Sequence, residues 1–214
     1  MLDTVEARAL PTDELRLLWC PARADDAPRR ARIDALLRGV LAPLLGLAPA
    51  ALRFAREAKG RPYLAHADAP DFNLSDTTGG TLLALSRGAR VGVDLELGAR
   101  TPPAVRLAAR YFAAEEAQAL AALAPVRAAR DFIWLWTAKE ASCKATGTGI
   151  FGFLPRWQFA AGEASPRLLA LPADAGDAAR WRFERVAPTP EHTAVIALRD
   201  AAPAMRLRAF SLGD

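Results

Sequence analysis

The chain has 214 residues, 52% of them hydrophobic and 24% charged, with 28 Lys+Arg against 24 Asp+Glu. That balance belongs to a folded chain with room for a substantial core, and it excludes wholesale disorder. The longest charge-free apolar run, Gly39 to Leu52, holds fourteen residues and two prolines, too short and too broken to cross a bilayer.

In chain order, Glu14 to Cys20 reads as an opening strand, and Pro28 to Leu45 as a helix. In that helix Ile33, Leu36, Leu37, Val40, Leu41, Leu44 and Leu45 form one stripe at helical spacing, with Gly46 as a stop. Pro28 suits the first turn, and Pro43 is expected to end the helix early. Leu52 to Arg56 and Arg61 to Leu64 read as strands around a Lys59-Gly60 turn. Phe72 to Ser75, Thr81 to Ser86 and Arg90 to Leu97 follow as three more. A turn-rich connector, Gly98 to Pro103, leads into an Ala-rich helical segment from Ala104 to Leu123 with breaks. Asp131 to Ala145 predicts a strong helix with Asp131 as its N-cap and Gly147 as its stop. Arg156 to Ala160, Arg167 to Leu171, Arg180 to Val186, Thr193 to Arg199 and Met205 to Phe210 then read as strands. Helices come first and strands cluster after them in each half, which predicts an α+β fold of two similar lobes. A doubly wound nucleotide-binding sheet is disfavoured.

The rarer residues narrow the chemistry. Cys20 and Cys143 make no disulfide framework and match no metal-ligand spacing. His66 and His192 are the two histidines, too few for a His-rich metal site and poor candidates for a Ser/His/Asp triad. With no export signal in view, a cytoplasmic protein is expected. Arginine outnumbers lysine 25 to 3 and is dispersed, with only Arg29, Arg30 and Arg32 bunched, so neither nucleic acid nor a membrane is an expected partner. Lys59, Lys139 and Lys144 are the three lysines, which draws attention to sites wanting a compact point charge.

Two segments carry the chemistry. In Val91-Gly92-Val93-Asp94-Leu95-Glu96 the strand period aims Asp94 and Glu96 to one face and Val93 and Leu95 to the other. Two carboxylates side by side suit a divalent cation completed by phosphate oxygens; the plainer reading is the polar face of a half-buried strand. In Trp136-Thr137-Ala138-Lys139-Glu140-Ala141-Ser142-Cys143-Lys144, Trp136, Glu140 and Lys144 stack at i, i+4 and i+8, and Lys139 projects at an adjacent angle. That face offers an anion for a metal and cations for phosphate; equally, Glu140 and Lys144 could form an ordinary helical ion pair.

Taken together, VGVDLE followed about forty residues later by WTAKEASCK resembles the 4′-phosphopantetheinyl transferases. That family pairs Val/Ile-Gly-Val/Ile-Asp-x-Glu with Trp-Ser/Thr-x-Lys-Glu-Ala/Ser-x-x-Lys. Weaker likeness extends to Lys59-Gly60-Arg61-Pro62, to Phe72-Asn73-Leu74-Ser75 and to Arg110-Tyr111-Phe112 with Glu116. The length resembles the two-lobed, surfactin-synthetase-activating type. One position departs: the family's Asn-Leu/Ile-Ser-His reads Asn73-Leu74-Ser75-Asp76 here, a carboxylate where a His helps hold a coenzyme A phosphate.

The resemblance implies two lobes in pseudo-two-fold arrangement, residues 1–98 and 99–214, with the transferase domain proper at about 90–200. The implied enzyme is a monomeric holo-[acyl-carrier-protein] synthase or 4′-phosphopantetheinyl transferase. It would move the phosphopantetheine arm of coenzyme A onto a serine of an acidic apo acyl or peptidyl carrier protein, releasing adenosine 3′,5′-bisphosphate. Asp94, Glu96 and Glu140 would hold Mg²⁺, with Glu140 also the base, directly or through a water, and Lys144 would pair with the diphosphate. Arg61, Lys139, Lys144, Ser75 and Asp76 would line the coenzyme site. Two other readings stay open: a non-catalytic relative binding coenzyme A or a carrier protein, with Asp76 as its mark, and a metal-dependent phosphohydrolase or nucleotidyl transferase.

Overall fold

The computed structural model describes residues 9–23, 27–162 and 166–212. The elements run β1 (Glu14–Pro21), α1 (Arg29–Leu45), β2 (Phe54–Arg56), β3 (Pro62–Leu64), β4 (Asp71–Thr77), β5 (Gly80–Ser86), β6 (Arg90–Leu97), α2 (Ala104–Tyr111), α3 (Ala114–Ala121), α4 (Pro125–Thr146), β7 (Gln158–Phe159), β8 (Leu168–Ala170), β9 (Trp181–Val186), β10 (His192–Arg199) and β11 (Arg206–Ser211). Mixed helices and largely antiparallel sheets make this the α+β fold expected.

Two of its helix boundaries differ from expectation. Pro43 does not stop α1, which continues to Leu45. So close to the end, proline forfeits little, and Gly46 in the left-handed region (φ 64°) closes the turn while the Leu47 N–H bonds the Ala42 carbonyl. Asp131 does not begin α4. The helix starts at Pro125, where a missing N–H costs nothing, and Asp131 lies inside it, its Oδ2 accepting the Arg127 Nε at 2.8 Å. Gly147, left-handed at φ 73°, ends α4 as expected.

Strand alternation sorts the core into layers. On β1 and β5, Leu15, Leu17, Trp19, Leu82 and Ala84 face one way, while Leu18, Leu83 and Leu85 face the other and pack under Leu37, Leu41 and Leu44 of α1. The first set meets Val91, Val93 and Leu95 of β6 and Ala194, Ile196 and Leu198 of β10. Val195 and Ala197, on the far face of that second sheet, join Leu135, Ala138 and Ala141 of α4 in one core. The order is therefore helix, sheet, sheet, helix, with α1 and α4 on the outside.

The four-stranded sheet runs β11-β1-β5-β4 and the three-stranded sheet β6-β10-β9. Strand pairing thus crosses the residue 98/99 division twice: β6 belongs with β10, and β11 returns to lie parallel along β1. The sheets are stitched where β4 faces β6. The Val91 N–H donates to Asp71 Oδ2 at 2.7 Å and the Val93 N–H to Asn73 Oδ1 at 2.8 Å, side chains standing in for a ladder. Gly92 lets α4 rest directly on β6; a Cβ there would lie 2.1 Å from the Ala141 carbonyl oxygen.

Candidate functional site

Because Val91, Val93 and Leu95 fill the core between the sheets, Asp94 and Glu96 turn toward α4, as the alternation predicts. Ser75 of β4 and Lys144 of α4 meet Asp94. Lys144 donates its Nζ to Asp94 Oδ1 at 2.6 Å and to Ser75 Oγ at 3.0 Å, and the Ser75 hydroxyl donates to the same Asp94 oxygen at 2.9 Å. Lys144 therefore pairs across the interface and not with Glu140 one turn away. Asp94 Oδ2 is buried with no partner. Glu96 accepts from Arg100, its i+4 neighbour.

Glu140 is half-buried and its carboxyl is pushed up to about 7. Burial is the main cause, the Asp94 charge adds to it, Lys144 partly offsets it, Glu96 adds a little and a Trp136 hydrogen bond opposes. Three carboxylates thus share one crowded field. Among the described residues no three His, Cys, Asp or Glu side chains stand close enough to share an ion. In their present conformation Lys144 and Arg100 take the Asp94 and Glu96 oxygens instead. The chemistry nonetheless fits a hard divalent cation: the donors are oxygens, one is buried and orphaned, and the Asp94 and Glu96 charges add to the burial that drives Glu140 toward neutrality.

Two cavities meet here. One, of about 620 Å³, runs between α1 and the end of α4 and is walled by Arg29, Arg30, Arg56, Lys59 and Lys144, a cationic trough suited to phosphates. The other, of about 750 Å³, is lined by Glu96, Tyr111, Trp136, Glu140 and Phe151, the last 90% exposed. Ile150 borders both.

The remaining candidates divide. Ser75 lies in the site. Arg61 borders the trough but its guanidinium is engaged: two bonds to Asp71 (3.0 and 2.7 Å), one to the Val91 carbonyl (2.8 Å) and one to the Lys144 carbonyl (2.9 Å). From the turn before β3 it braces β4, β6 and α4 together, and it is not an open phosphate ligand. Lys139 is fully buried, bonded to Glu116 at 2.6 Å, to the Leu154 carbonyl at 3.1 Å and to the Trp157 carbonyl, with its Nζ over the Phe112 ring. The expectation that it lines the coenzyme site is corrected: its angle on α4 points into the core. Asp76 faces α1, where Arg29 and Arg32 hold it. Cys143 is buried and its thiol is pushed up to about 12, chiefly by burial, so it is no nucleophile.

Sequence reading missed Asp71 and Asn73 as fasteners and Arg100 as the partner of Glu96. The first two were legible in principle, since Asp71, Asn73 and Ser75 alternate along β4 and so share a face.

Residues 90–199 match the 4′-phosphopantetheinyl transferase superfamily. The protein slr0495 of Synechocystis sp., whose name places it among the 4′-phosphopantetheinyl transferases, is 36% identical over 163 residues, 75% of this chain and 65% of that protein. The 4′-phosphopantetheinyl transferase HetI of Nostoc sp. is 36% identical over 118 residues, 54% of this chain and 50% of its own. A 4′-phosphopantetheinyl transferase of Bacillus subtilis is 30% identical over 126 residues, 59% of this chain and 55% of its own. The chain thus spans 50–65% of the length of these relatives. Among solved structures, the holo-[acyl-carrier-protein] synthase of Thermotoga maritima aligns with 53% of this chain and 65% of its own, at 21% identity and a TM-score of 0.41.

Proposed function

The chain belongs to the 4′-phosphopantetheinyl transferase superfamily, and from that premise we infer that it transfers the 4′-phosphopantetheine arm of coenzyme A to a serine hydroxyl of an apo acyl or peptidyl carrier protein, releasing adenosine 3′,5′-bisphosphate. The observation that carries this reading is the knot of Lys144, Ser75 and Asp94 beside Glu140, set where a cationic trough meets a second cavity.

In this reading the trough takes the phosphorylated end of coenzyme A, its cations neutralising what a carboxylate-lined cleft would repel. Lys144 sits where the trough reaches the carboxylates, and its ammonium is a point charge for the diphosphate. Asp94, Glu96 and Glu140 are the residues that would hold a divalent cation such as Mg²⁺, which would supply Lewis-acid polarisation of the diphosphate and charge for the leaving phosphate. Glu140, which lines the second cavity, would take the proton of an incoming serine, directly or through a water. The nucleophile comes from the partner, which agrees with the inert Cys143 and the absence of any need for a catalytic Ser in this chain. The net charge of +4 favours encounter with an acidic carrier.

The test incubates the chain with apo carrier proteins, coenzyme A and Mg²⁺ and weighs the carriers by intact-mass spectrometry. The expected result is a carrier heavier by one phosphopantetheine arm, dependent on the divalent cation. Carriers left unmodified while coenzyme A binds would favour a binding relative, and turnover of coenzyme A with no carrier present would favour a phosphohydrolase.

A further inference from the structure

The first residues after α4, Gly147-Thr148-Gly149-Ile150-Phe151-Gly152-Phe153, form a strap along the line where the two cavities meet. Gly149 borders the trough, Phe151 and Gly152 border the second cavity, and Ile150 borders both. The upstream end is fixed by α4, where the Thr148 N–H bonds the Cys143 carbonyl at 3.3 Å. The downstream end is fixed by Lys139, whose ammonium takes the Leu154 and Trp157 carbonyls. Between these anchors Gly149 and Gly152 both lie in the left-handed region at φ 74°, and a Cβ on either would meet nothing within 4 Å. Glycine there serves the backbone and not the packing, so the strap stands clear of the body.

Phe153 ties the strap to the first half of the chain. It is half-buried, and the Lys59 ammonium lies over its ring, 4.5 Å from the centroid. Lys59 tops the turn between β2 and β3. That turn is held by the Glu57 N–H on the Arg61 carbonyl at 2.9 Å, the Gly60 N–H on the Glu57 carbonyl at 2.8 Å and the Arg56 Nη1 on the Gly60 carbonyl at 2.7 Å. Lys59 walls the trough, yet among the described residues no carboxylate pairs with it; Glu57, two residues before it, is taken by Arg61 and Arg90. Its ammonium is therefore spent on an aromatic face, an attraction that acts within about 6 Å of a ring centroid. The Arg156 guanidinium lies 4.9 Å from the same ring but belongs to the same segment, so it adds no tie between the halves.

We propose that Lys59 and Phe153 form a latch that holds the strap over the junction of the cavities, and that the latched strap keeps water from the diphosphate while a carrier serine approaches. This rests on the transferase reading. Two nucleophiles compete for one phosphorus. Serine attack forms a P–O bond to the carrier, breaks the diphosphate P–O bond and releases adenosine 3′,5′-bisphosphate, with the serine proton passing to the base. Water attack breaks the same bond and yields free 4′-phosphopantetheine, its proton passing to solvent. A site open to a serine from outside needs a cover against water, and a glycine-hinged strap across the junction provides one. Lys59 is a positioning residue that acts through the Phe153 ring.

The test compares the full chain with Lys59→Gln, Lys59→Arg, Phe153→Leu and the K59Q/F153L double variant. Hydrogen exchange read by mass spectrometry follows the amides of residues 148–153. Chromatography measures adenosine 3′,5′-bisphosphate formed from coenzyme A and Mg²⁺, with and without an apo acyl carrier protein. K59Q and F153L are each expected to speed exchange in the strap by about fivefold, the population shift of one cation–π contact. Carrier-independent cleavage of coenzyme A should rise by a similar factor, while transfer changes less. The double variant should match the singles, and K59R, whose guanidinium also binds a ring face, should behave as the wild-type chain. Lys59 is exposed, so K59Q keeps the fold and carries the test even if F153L is damaged. Unchanged exchange in K59Q overturns the latch, and faster exchange with unchanged cleavage overturns the exclusion of water. Weaker coenzyme A binding in K59Q but not in F153L also overturns the proposal, by making Lys59 a ligand. If transfer proceeds while both readouts ignore the variants, the proposal fails and the transferase reading stands. If the wild-type chain leaves the carrier unmodified, that reading fails and takes the exclusion of water with it, and exchange alone decides the latch.

Discussion

Lys144 of α4 holds Asp94 of β6 at 2.6 Å through Oδ1 and leaves Oδ2 buried without a partner. Asp94, with Glu96 and Glu140, would hold a divalent cation, whose charge would compete with Lys144 for Asp94. Glu96→Ala and Glu140→Ala are therefore expected to lower Mg²⁺-dependent transfer by about a hundredfold or more, with melting temperature little changed. Steady-state transfer assays with a Mg²⁺ titration check this; either variant retaining full activity removes its residue from the cation site.

Glu140 links pH to stability. Its carboxyl is raised from 4.5 to about 7 in the fold, so the folded chain binds a proton more tightly than the unfolded one. The stability this provides is full below the unfolded value and is lost as pH rises toward 7. In the presence of a chelator, Glu140→Gln should thus be more stable than the wild-type chain at pH 8, by roughly 1–3 kcal/mol, and the difference should shrink toward pH 5. Urea unfolding at the two values measures it. A gap that is equal at both values contradicts the linkage.

The Lys139–Glu116 pair is sealed in the core, where removing one partner strands the other charge. Lys139→Met is expected to cost about 3–5 kcal/mol of unfolding free energy, and Lys139→Met with Glu116→Leu to recover part of it. Denaturant titration of the three proteins decides this. Were Lys139 a coenzyme ligand instead, the single variant would weaken coenzyme A binding with little loss of stability.

Arg61 makes the same contrast at the edge of the trough. Lysine cannot reproduce a fork that reaches Asp71, Val91 and Lys144 together, so Arg61→Lys should cost about 2–3 kcal/mol of stability. Its effect on coenzyme A should not distinguish the 3′-dephospho form. A stable R61K that loses affinity for the 3′-phosphate alone would return Arg61 to the ligand set.

How much of this was legible depends on how local the cause is. The opposite facing of Asp94 and Val93, and the column of Trp136, Glu140 and Lys144, follow from backbone period, and both hold. So do the left-handed glycines that end α1 and α4. The partners of those side chains are tertiary facts. Lys144 left Glu140 for Asp94 because β6 lies against α4 at Gly92, a contact no local pattern encodes. Lys139 is one residue from Glu140, yet a helix turns about 100° per residue, and only the packed core reveals that this angle faces Phe112. Asp131 looked like a cap because Asp favours caps, but Pro125 already supplied the start. The binding of Asp76 to Arg29 and Arg32 needed both the alternation of β4, which was readable, and the covering helix, which was not.

The parallel seat of β11 beside β1 has a consequence for how the chain is made. The first sheet cannot close when its other three strands have been synthesised; its edge at β1 waits until residue 211 has emerged, more than a hundred residues after β5. Long-range closure of this kind slows folding. A fragment ending at residue 98 would carry an open edge along Leu15 to Trp19 and would lack the β10 partner of β6, so neither half is expected to reach its native form alone.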